Sequence, residues 1–368
     1  MTVSIICAGL SCLDLQLLGC TKTHQAEAIE QYDKAEYCAG GSASMAATTL
    51  ALLCGKHNGD DADFDIHVLT KLGNDLNGQV MLDFYKNAGA KTDLCFQDPN
   101  VSTAMSVLPV FKEGGRACFF NLASNNSFTT KELLQQMEKL PATSETKAFL
   151  FGYPHLLPQM QGDKLKQMLL TIRSKFGPSI LLGVDLNGVT IENHRSDLLG
   201  PALEQVDILH LNEEEAELLS GFRKDDLLHH SGEKLQIVTE VLHKEGCAVV
   251  VLSLGSRGSY ISVTSDANRL GKCPSNISNN WKASSTARIP AFAVNAGDVN
   301  ANGAGDALFA AFCFAAATME GATLEQIGTF ASLVARQRCD VKTRDAPQYD
   351  AKKIMEIVRK GDLPERII

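Results

Sequence analysis

A polar turn running straight into an apolar helix constrains this chain more than any other stretch. Asn300 to Gly305 reads Asn-Ala-Asn-Gly-Ala-Gly, a single carboxylate follows at Asp306, and Ala307 to Ala317 is apolar throughout. A run of that length, apolar on every side, is a buried helix rather than an amphipathic surface helix. The turn therefore delivers Gly303, Ala304 and Gly305 to a helix N-terminus, where unpaired N–H groups and the positive end of the dipole meet. That is a site for an anion. Glycines let a phosphate approach bare backbone, and a carboxylate beside them can take a proton from an attacking hydroxyl. Phosphoryl transfer uses both. A tight turn with Asp near the N-cap explains the same residues without chemistry, so the rest of the chain decides.

The rest alternates. Val3–Gly9, Asp65–Leu69, Ala148–Gly152, Ile180–Asp185, Val206–Leu211 and Ala248–Leu254 are short apolar runs of strand type. Helical segments stand between or beside them: Met45–Cys54, a stretch within Leu156–Phe176, Glu213–Ser220 and Glu233–Lys244. Thr323-Leu-Glu-Gln326 is a capping box that opens a further amphipathic helix, with Leu324, Ile327, Phe330 and Val334 on one face. Alternation at this spacing predicts βαβ units, a mostly parallel sheet and helices on both faces. Ala104–Val110 and Arg116–Phe120 form a hairpin around Lys112–Gly115. Residues 20–37 are polar without a clear period, Lys56–Asp65 is an acidic surface loop, and Ser265–Arg288 is an extended polar loop.

Ligands of open α/β sheets bind beyond the C-terminal ends of the strands, and several polar residues fall there. Asp14 follows the first strand, Asn187 follows the Ile180–Asp185 strand, and Asn212-Glu-Glu-Glu215 follows the Val206–Leu211 strand. Ser253-Leu-Gly255-Ser-Arg-Gly258 closes the next one, and Gly40-Gly41-Ser42 precedes the Met45–Cys54 helix. Each has a plain explanation as a turn, hairpin or capped helix start; an acidic first turn, for one, is what the helix dipole favours by itself.

Taken in order, these elements resemble the ribokinase-like, or PfkB-type, kinases of carbohydrates and nucleosides. Asp14, Gly40-Gly41, Asn212 to Glu215, Gly255 to Gly258 and Gly303 to Asp306 occur in that family's order across nearly the whole chain. The resemblance implies a ribokinase-like three-layer α/β fold, a mostly parallel central sheet with helices on both faces, plus a small β-sheet lid. It implies one kinase domain over residues 1–368, with the lid formed from about 12–38 and 101–121. It assigns Asp306 as catalytic base and the Gly303, Ala304 and Gly305 amides as an anion hole. Asp14, Gly40, Gly41 and Ser42 would bind substrate; Asn187, Asn212, Ser253, Gly255 and Gly258 would bind ATP; Glu215 would hold Mg²⁺ through water. Ser42 stands where the family's sugar kinases carry Asn, and Val189 where it often carries Arg. Asn300 occupies the usual Asp position of a K⁺ site, so K⁺ activation is left open. Relatives often dimerise through the lid.

The activity implied is ATP-dependent transfer to an alcohol group of a small sugar. A nucleoside is the alternative acceptor, since Gly-Gly-Ser and Asn121–Asn125 resemble adenosine kinases and Phe111, Phe119 and Phe120 could sandwich a base. A catalytically idle metabolite-binding relative is the second alternative. Composition excludes other classes. A net charge of −9 without a dense Lys/Arg cluster argues against nucleic acid, and no uncharged run has membrane-spanning length. Neither a Walker-type P-loop nor a dinucleotide Gly-x-Gly-x-x-Gly occurs. Eleven cysteines, scattered and without a Cys-x-x-Cys pair, read as free thiols in a reducing cytoplasm.

Overall fold

The computed structural model describes residues 2–21, 29, 31–55, 64–113, 115–140, 145–186, 188, 194–221, 232–294 and 299–367. The Lys56–Asp65 loop, from 56 to 63, and Asn187 and Val189 lie outside the described residues. The apolar runs form one eight-stranded sheet in the order β14-β13-β12-β11-β10-β9-β1-β4. Its parallel part comprises β4 (Phe64–Leu69), β1 (Val3–Gly9), β9 (Glu145–Gly152), β10 (Leu181–Asp185), β11 (Ile208–Asn212) and β12 (Val249–Ser253). β13 (Ser259–Val263) and β14 (Thr286–Ile289) add antiparallel at one edge.

Both faces of the sheet are covered, which is why its strands read as continuous apolar runs rather than alternating ones. Alternate residues enter separate cores: on β9, Ala148 and Leu150 face one and Phe149 and Phe151 the other. The first core takes the helices Ser42–Cys54, Leu76–Ala88, Ala304–Thr318 and Leu324–Cys339; the second takes Gly162–Phe176, Glu213–Ser220 and Gly232–Lys244. In the Ala304–Thr318 helix every residue from Asp306 to Ala317 is buried, as a helix apolar on all sides requires. No helix among the described residues is long and apolar enough to cross a membrane.

A second sheet of order β3-β2-β7-β8 stands apart, built from β2 (Cys12–Cys20), β3 (Lys34–Gly40), β7 (Met105–Phe111) and β8 (Phe119–Asn121). The 105–121 hairpin is as expected, but β3 emerges from a stretch read as aperiodic. Its residues pair with β2 on one side only and stay half exposed, so they never needed an apolar pattern. A short parallel pair, β5 (Lys71–Gly73) and β6 (Phe96–Asp98), completes the strands described. Asp75 caps the Leu76–Ala88 helix by accepting from the Gly78 amide. Ser265–Arg288 is no extended loop. Leu270, Cys273, Ile277 and Trp281 are buried along it, the Trp281 indole donates to the Ala322 carbonyl at 3.2 Å, and its end is strand β14. A few anchors spaced through polar sequence were enough to dock it on the core.

Candidate active site

Two cavities meet at the N-terminus of the Ala304–Thr318 helix. The smaller, of about 280 Å³, lies between the second sheet and the main sheet. The larger, of about 820 Å³, runs over the C-terminal ends of β10, β11 and β12. Arg116, Tyr153, Asn302, Gly303 and Asp306 line both. Asp306 thus forms part of the wall between two compartments.

The chain fixes that carboxylate tightly. Gly303 caps the helix in the left-handed conformation, φ 77°, and turns the chain into it. Asp306 is 7% exposed, and the Tyr153 hydroxyl donates to its Oδ1 at 2.6 Å. Burial drives the Asp306 carboxyl above the ordinary carboxylate range, while the Tyr153 hydrogen bond, His210 and Arg338 pull it back. The Ala304 amide, expected to face an anion, instead donates to the Ala301 carbonyl at 3.1 Å. The Gly303 and Gly305 amides have no acceptor among the described residues. A Cβ added at Gly305 would meet nothing nearer than His210 Cε1 at 3.5 Å. Packing therefore does not demand glycine there, and the space it leaves is on the wall of the larger cavity.

In the smaller cavity, the second sheet presents Cys12, Asp14 and Gln16 from β2, Cys38 and Gly40 from β3, and Ser106 from β7. These alternate along their strands, so one face of the sheet roofs the cavity. Asp14 Oδ1 accepts from Ser106 at 2.5 Å and from the Cys12 thiol at 3.1 Å. Burial raises the Asp14 carboxyl, and those two donors and Arg116 offset it. Gly40 is required beside it, since a Cβ would lie 2.3 Å from Asp14 Oδ2. Gly41 lines the cavity, but Ser42 does not. Ser42 is buried as the first helical residue, against Gly9 and Gly152, because the turn at Gly41 points its side chain into the sheet.

The larger cavity gathers Asn212, Ser253, Gly255 and Gly258. Gly255–Arg257 is a single 3-10 turn, and the Leu254 amide closes the loop onto the Gly258 carbonyl at 2.8 Å. Glu215 lines neither cavity. It completes a capping box with Asn212, accepting from the Asn212 amide at 2.8 Å and from the Gly188 amide at 2.9 Å. Burial raises its carboxyl to about 7. Its neighbours Glu213 and Glu214 do line the larger cavity, as do Asp185 and Asp306. Asn300 Oδ1 accepts from the Asn302 amide at 3.0 Å and so stiffens the turn before Gly303.

Sequence reasoning missed several residues. Tyr153 directly follows β9 and Asp185 ends β10, where the rule that marked Asp14 also applies. Tyr153 holds φ 62°, a strained value for a side chain of its size. Asp185 Oδ1 lies 2.6 Å from His210 Nδ1 in a buried pair on the larger cavity's wall. Burial raises the Asp185 carboxyl and lowers His210 to about 4. Arg116, Arg338, Arg344 and His155 line the smaller cavity. No sequence signal marks the last three, which arrive through the tertiary fold.

Replacing Tyr153 by Phe removes a donor that favours the ionised form of Asp306. Activity that needs ionised Asp306 rises with pH through its pKa, so the acid limb of the Tyr153→Phe profile moves to higher pH. Turnover at neutral pH falls about tenfold, the scale of one hydrogen bond to a buried charge. A kcat/KM profile for both proteins checks this, and superimposable acid limbs would contradict it.

A family model described as pfkB family carbohydrate kinase matches residues 4–347. No curated protein sequence matches the chain. Among solved structures, ribokinase from Giardia lamblia is similar with a TM-score of 0.72 at 16% identity, covering 98% of this chain and 99% of that one. Ribokinase from Arabidopsis thaliana, complexed with ribose and ATP, gives 0.70 at 18% identity, covering 97% and 98%. Nucleoside kinase from Methanocaldococcus jannaschii gives 0.63 at 18%, covering 97% and 98%. At these identities the likeness establishes the fold.

Proposed function

Because this chain belongs to the pfkB family of carbohydrate kinases, we propose that it transfers the γ-phosphoryl group of ATP to a hydroxyl of a small sugar. The observation that carries this reading is the shared wall: one buried carboxylate, Asp306, faces both the smaller and the larger cavity. An acceptor in the first and a nucleotide in the second would meet at that residue.

Asp14 binds acceptor hydroxyls with Oδ2, since Oδ1 is taken by Ser106 and Cys12. Tyr153 occupies Asp306 Oδ1, which leaves Oδ2 to orient the attacking hydroxyl and take its proton. The acceptor oxygen then bonds to the γ-phosphorus as the bond to the bridging oxygen breaks, and ADP leaves. Gly303 and Gly305 donate their amides to the charge that develops on the transferring group. Gly255, Gly258 and Ser253 line the space for the rest of the nucleotide. Among the described residues no group of three or more His, Cys, Asp or Glu side chains forms a ready metal cage. Mg²⁺ would arrive with the phosphates: Glu214, together with Glu213, which already pairs with Arg257, would hold its waters, and Glu215 would act indirectly by fixing Asn212. When bound, the ion supplies neutralisation of phosphate charge. The second sheet roofs the acceptor and excludes water, the competing nucleophile.

A sugar fits better than a nucleoside. Of the candidate clamp residues only Phe120 lines the smaller cavity, and Phe119 is 66% exposed on the other side of its strand. Acceptor-dependent ADP release from MgATP, across sugars and nucleosides, tests the reading. Turnover on nucleosides alone would reverse the acceptor class, and none at all would leave a binding protein. Asp14→Ala is expected to raise the acceptor KM about a hundredfold, as loss of a paired buried carboxylate does, with KM for ATP unchanged. Equal changes in both constants would remove Asp14 from acceptor binding.

A further inference from the structure

The smaller cavity carries more positive charge than a neutral sugar needs. Arg338 lies at the end of the Leu324–Cys339 helix with its side chain only 12% exposed. Its nearest carboxylate oxygen belongs to Asp345, itself 83% exposed, at a long 3.4 Å. The other contacts of the guanidinium are weak: the Arg344 carbonyl at 3.4 Å and the Met45 sulfur at 3.6 Å. Its Nε is buried with no hydrogen-bond partner among the described residues. Arg344 lines the same cavity, and the two like charges oppose one another. Arg116 approaches from the second sheet and donates to the Asn302 side chain. Arg116 acts on the Asp14 carboxylate without an ion-pair contact, and Arg344 has no carboxylate partner among the described residues.

Burying a guanidinium without a well-placed anion costs more than the fold recovers from it, so a ligand that completes the pairing is the natural reason to keep it. Arginine is also the side chain whose forked donors match planar or tetrahedral oxyanions. Arg338 and Arg344 line the smaller cavity and not the larger one, with Arg338 reaching the shared wall at Gly303, which puts the anion they would bind on the acceptor side of Asp306. His155, half-buried on the same wall with both ring nitrogens covered and unpartnered among the described residues, adds a further polar group; burial lowers it to about 4.

Resting on the phosphotransfer reading above, we propose that the acceptor is an anionic sugar, bearing a carboxylate or phosphate that Arg338 and Arg344 bind while Asp14 holds its hydroxyls. The cavity then divides its labour. Asp14 and Ser106 on the roof read hydroxyls, the arginine pair reads the acid group, and Asp306 faces the hydroxyl between them.

The test uses matched acceptors: ribose, ribonate and ribose 5-phosphate; glucose, gluconate and glucose 6-phosphate; fructose and fructose 6-phosphate. At least one anionic member should exceed its neutral counterpart about a hundredfold in kcat/KM, the scale of a paired buried charge. Preference within the anionic pairs tells carboxylate from phosphate. Arg344→Ala, at a half-exposed position, should raise KM for that acceptor about tenfold or more and move KM for MgATP by less than about twofold. Arg338→Met keeps the buried volume and should abolish the preference, while Arg338→Lys restores part of it. Best turnover on a neutral sugar or nucleoside, with KM unmoved by Arg344→Ala, would overturn the proposal. If no acceptor releases ADP, the phosphotransfer reading fails. Calorimetry then decides the anion site by itself: ribonate or ribose 5-phosphate binding that Arg338→Met removes supports it, and absence of binding overturns it.

Discussion

Asp306→Asn should leave a folded, ATP-binding protein whose kcat is lower by roughly two to four orders of magnitude. The amide keeps the volume of the carboxylate and an oxygen able to accept from Tyr153, so the helix start and both cavity walls are preserved. What disappears is the group that can take a proton from the attacking hydroxyl. The buried setting enlarges the effect, because the described residues bring no other carboxylate to line both cavities. KM for ATP should change little, since uniform binding is not what the substitution removes. A kcat within threefold or so of wild type would take Asp306 out of the chemistry and leave it as a structural cap.

The second large effect separates two glycines that sequence alone treats alike. Gly258 holds φ +87°, and a Cβ there would lie 1.9 Å from the Ile289 carbonyl oxygen and 2.8 Å from the Ala291 amide. Both obstacles are backbone, in or just after edge strand β14, and neither can rotate away. Left-handed strain and overpacking together predict a loss of about 3 kcal/mol for Gly258→Ala, a fall in Tm of some 5–10 °C at about 2–3 °C per kcal/mol, and a raised KM for ATP. Gly305→Ala is the control: it is helical, with 3.5 Å of clearance to His210. It should fold with near-normal Tm and lose most of its kcat, because the added methyl occupies the wall where the transferring phosphoryl is proposed to sit. Thermal melts and steady-state kinetics on both variants decide this. Equal losses of stability, or an active Gly305→Ala protein, would contradict the account.

The parts of the molecule legible in sequence are those where burial acts on a periodic pattern. The parallel strands are apolar because both faces are covered, and the Ala304–Thr318 helix because every side is buried. Strand β3 escaped notice because it lies at an edge, half exposed, and is held by its pairing with β2. The Ser265–Arg288 segment escaped because four buried anchors in polar sequence have no period. The site shows the same division. Asp306, Asp14 and the glycine turns belong to local strand-end and helix-start signals. Ser42 shared such a signal but points inward, because the turn that starts its helix fixes its direction. Glu215 shared one too, and serves Asn212 and Gly188 instead of the cavity. Tyr153 was findable, since it follows Gly152 at the end of β9. Arg338 and Arg344 were not: in sequence they are basic residues at and after a helix C-terminus, where the dipole alone would favour them. Only the packing of that helix end against Met45 and Gly303 turns Arg338 toward the smaller cavity, whose wall Arg344 joins.

The central claim is that phosphoryl transfer occurs across the wall that Asp306 shares between two cavities. Following the label from ATP radiolabelled in its γ-phosphoryl group tests it most directly, with each acceptor in turn and with wild-type and Asp306→Asn proteins side by side. The account predicts label covalently bound to an acceptor hydroxyl, formed by wild type and reduced at least a hundredfold in rate by the substitution. Label that appears only as inorganic phosphate, or transfers equally well without the carboxylate, would contradict it.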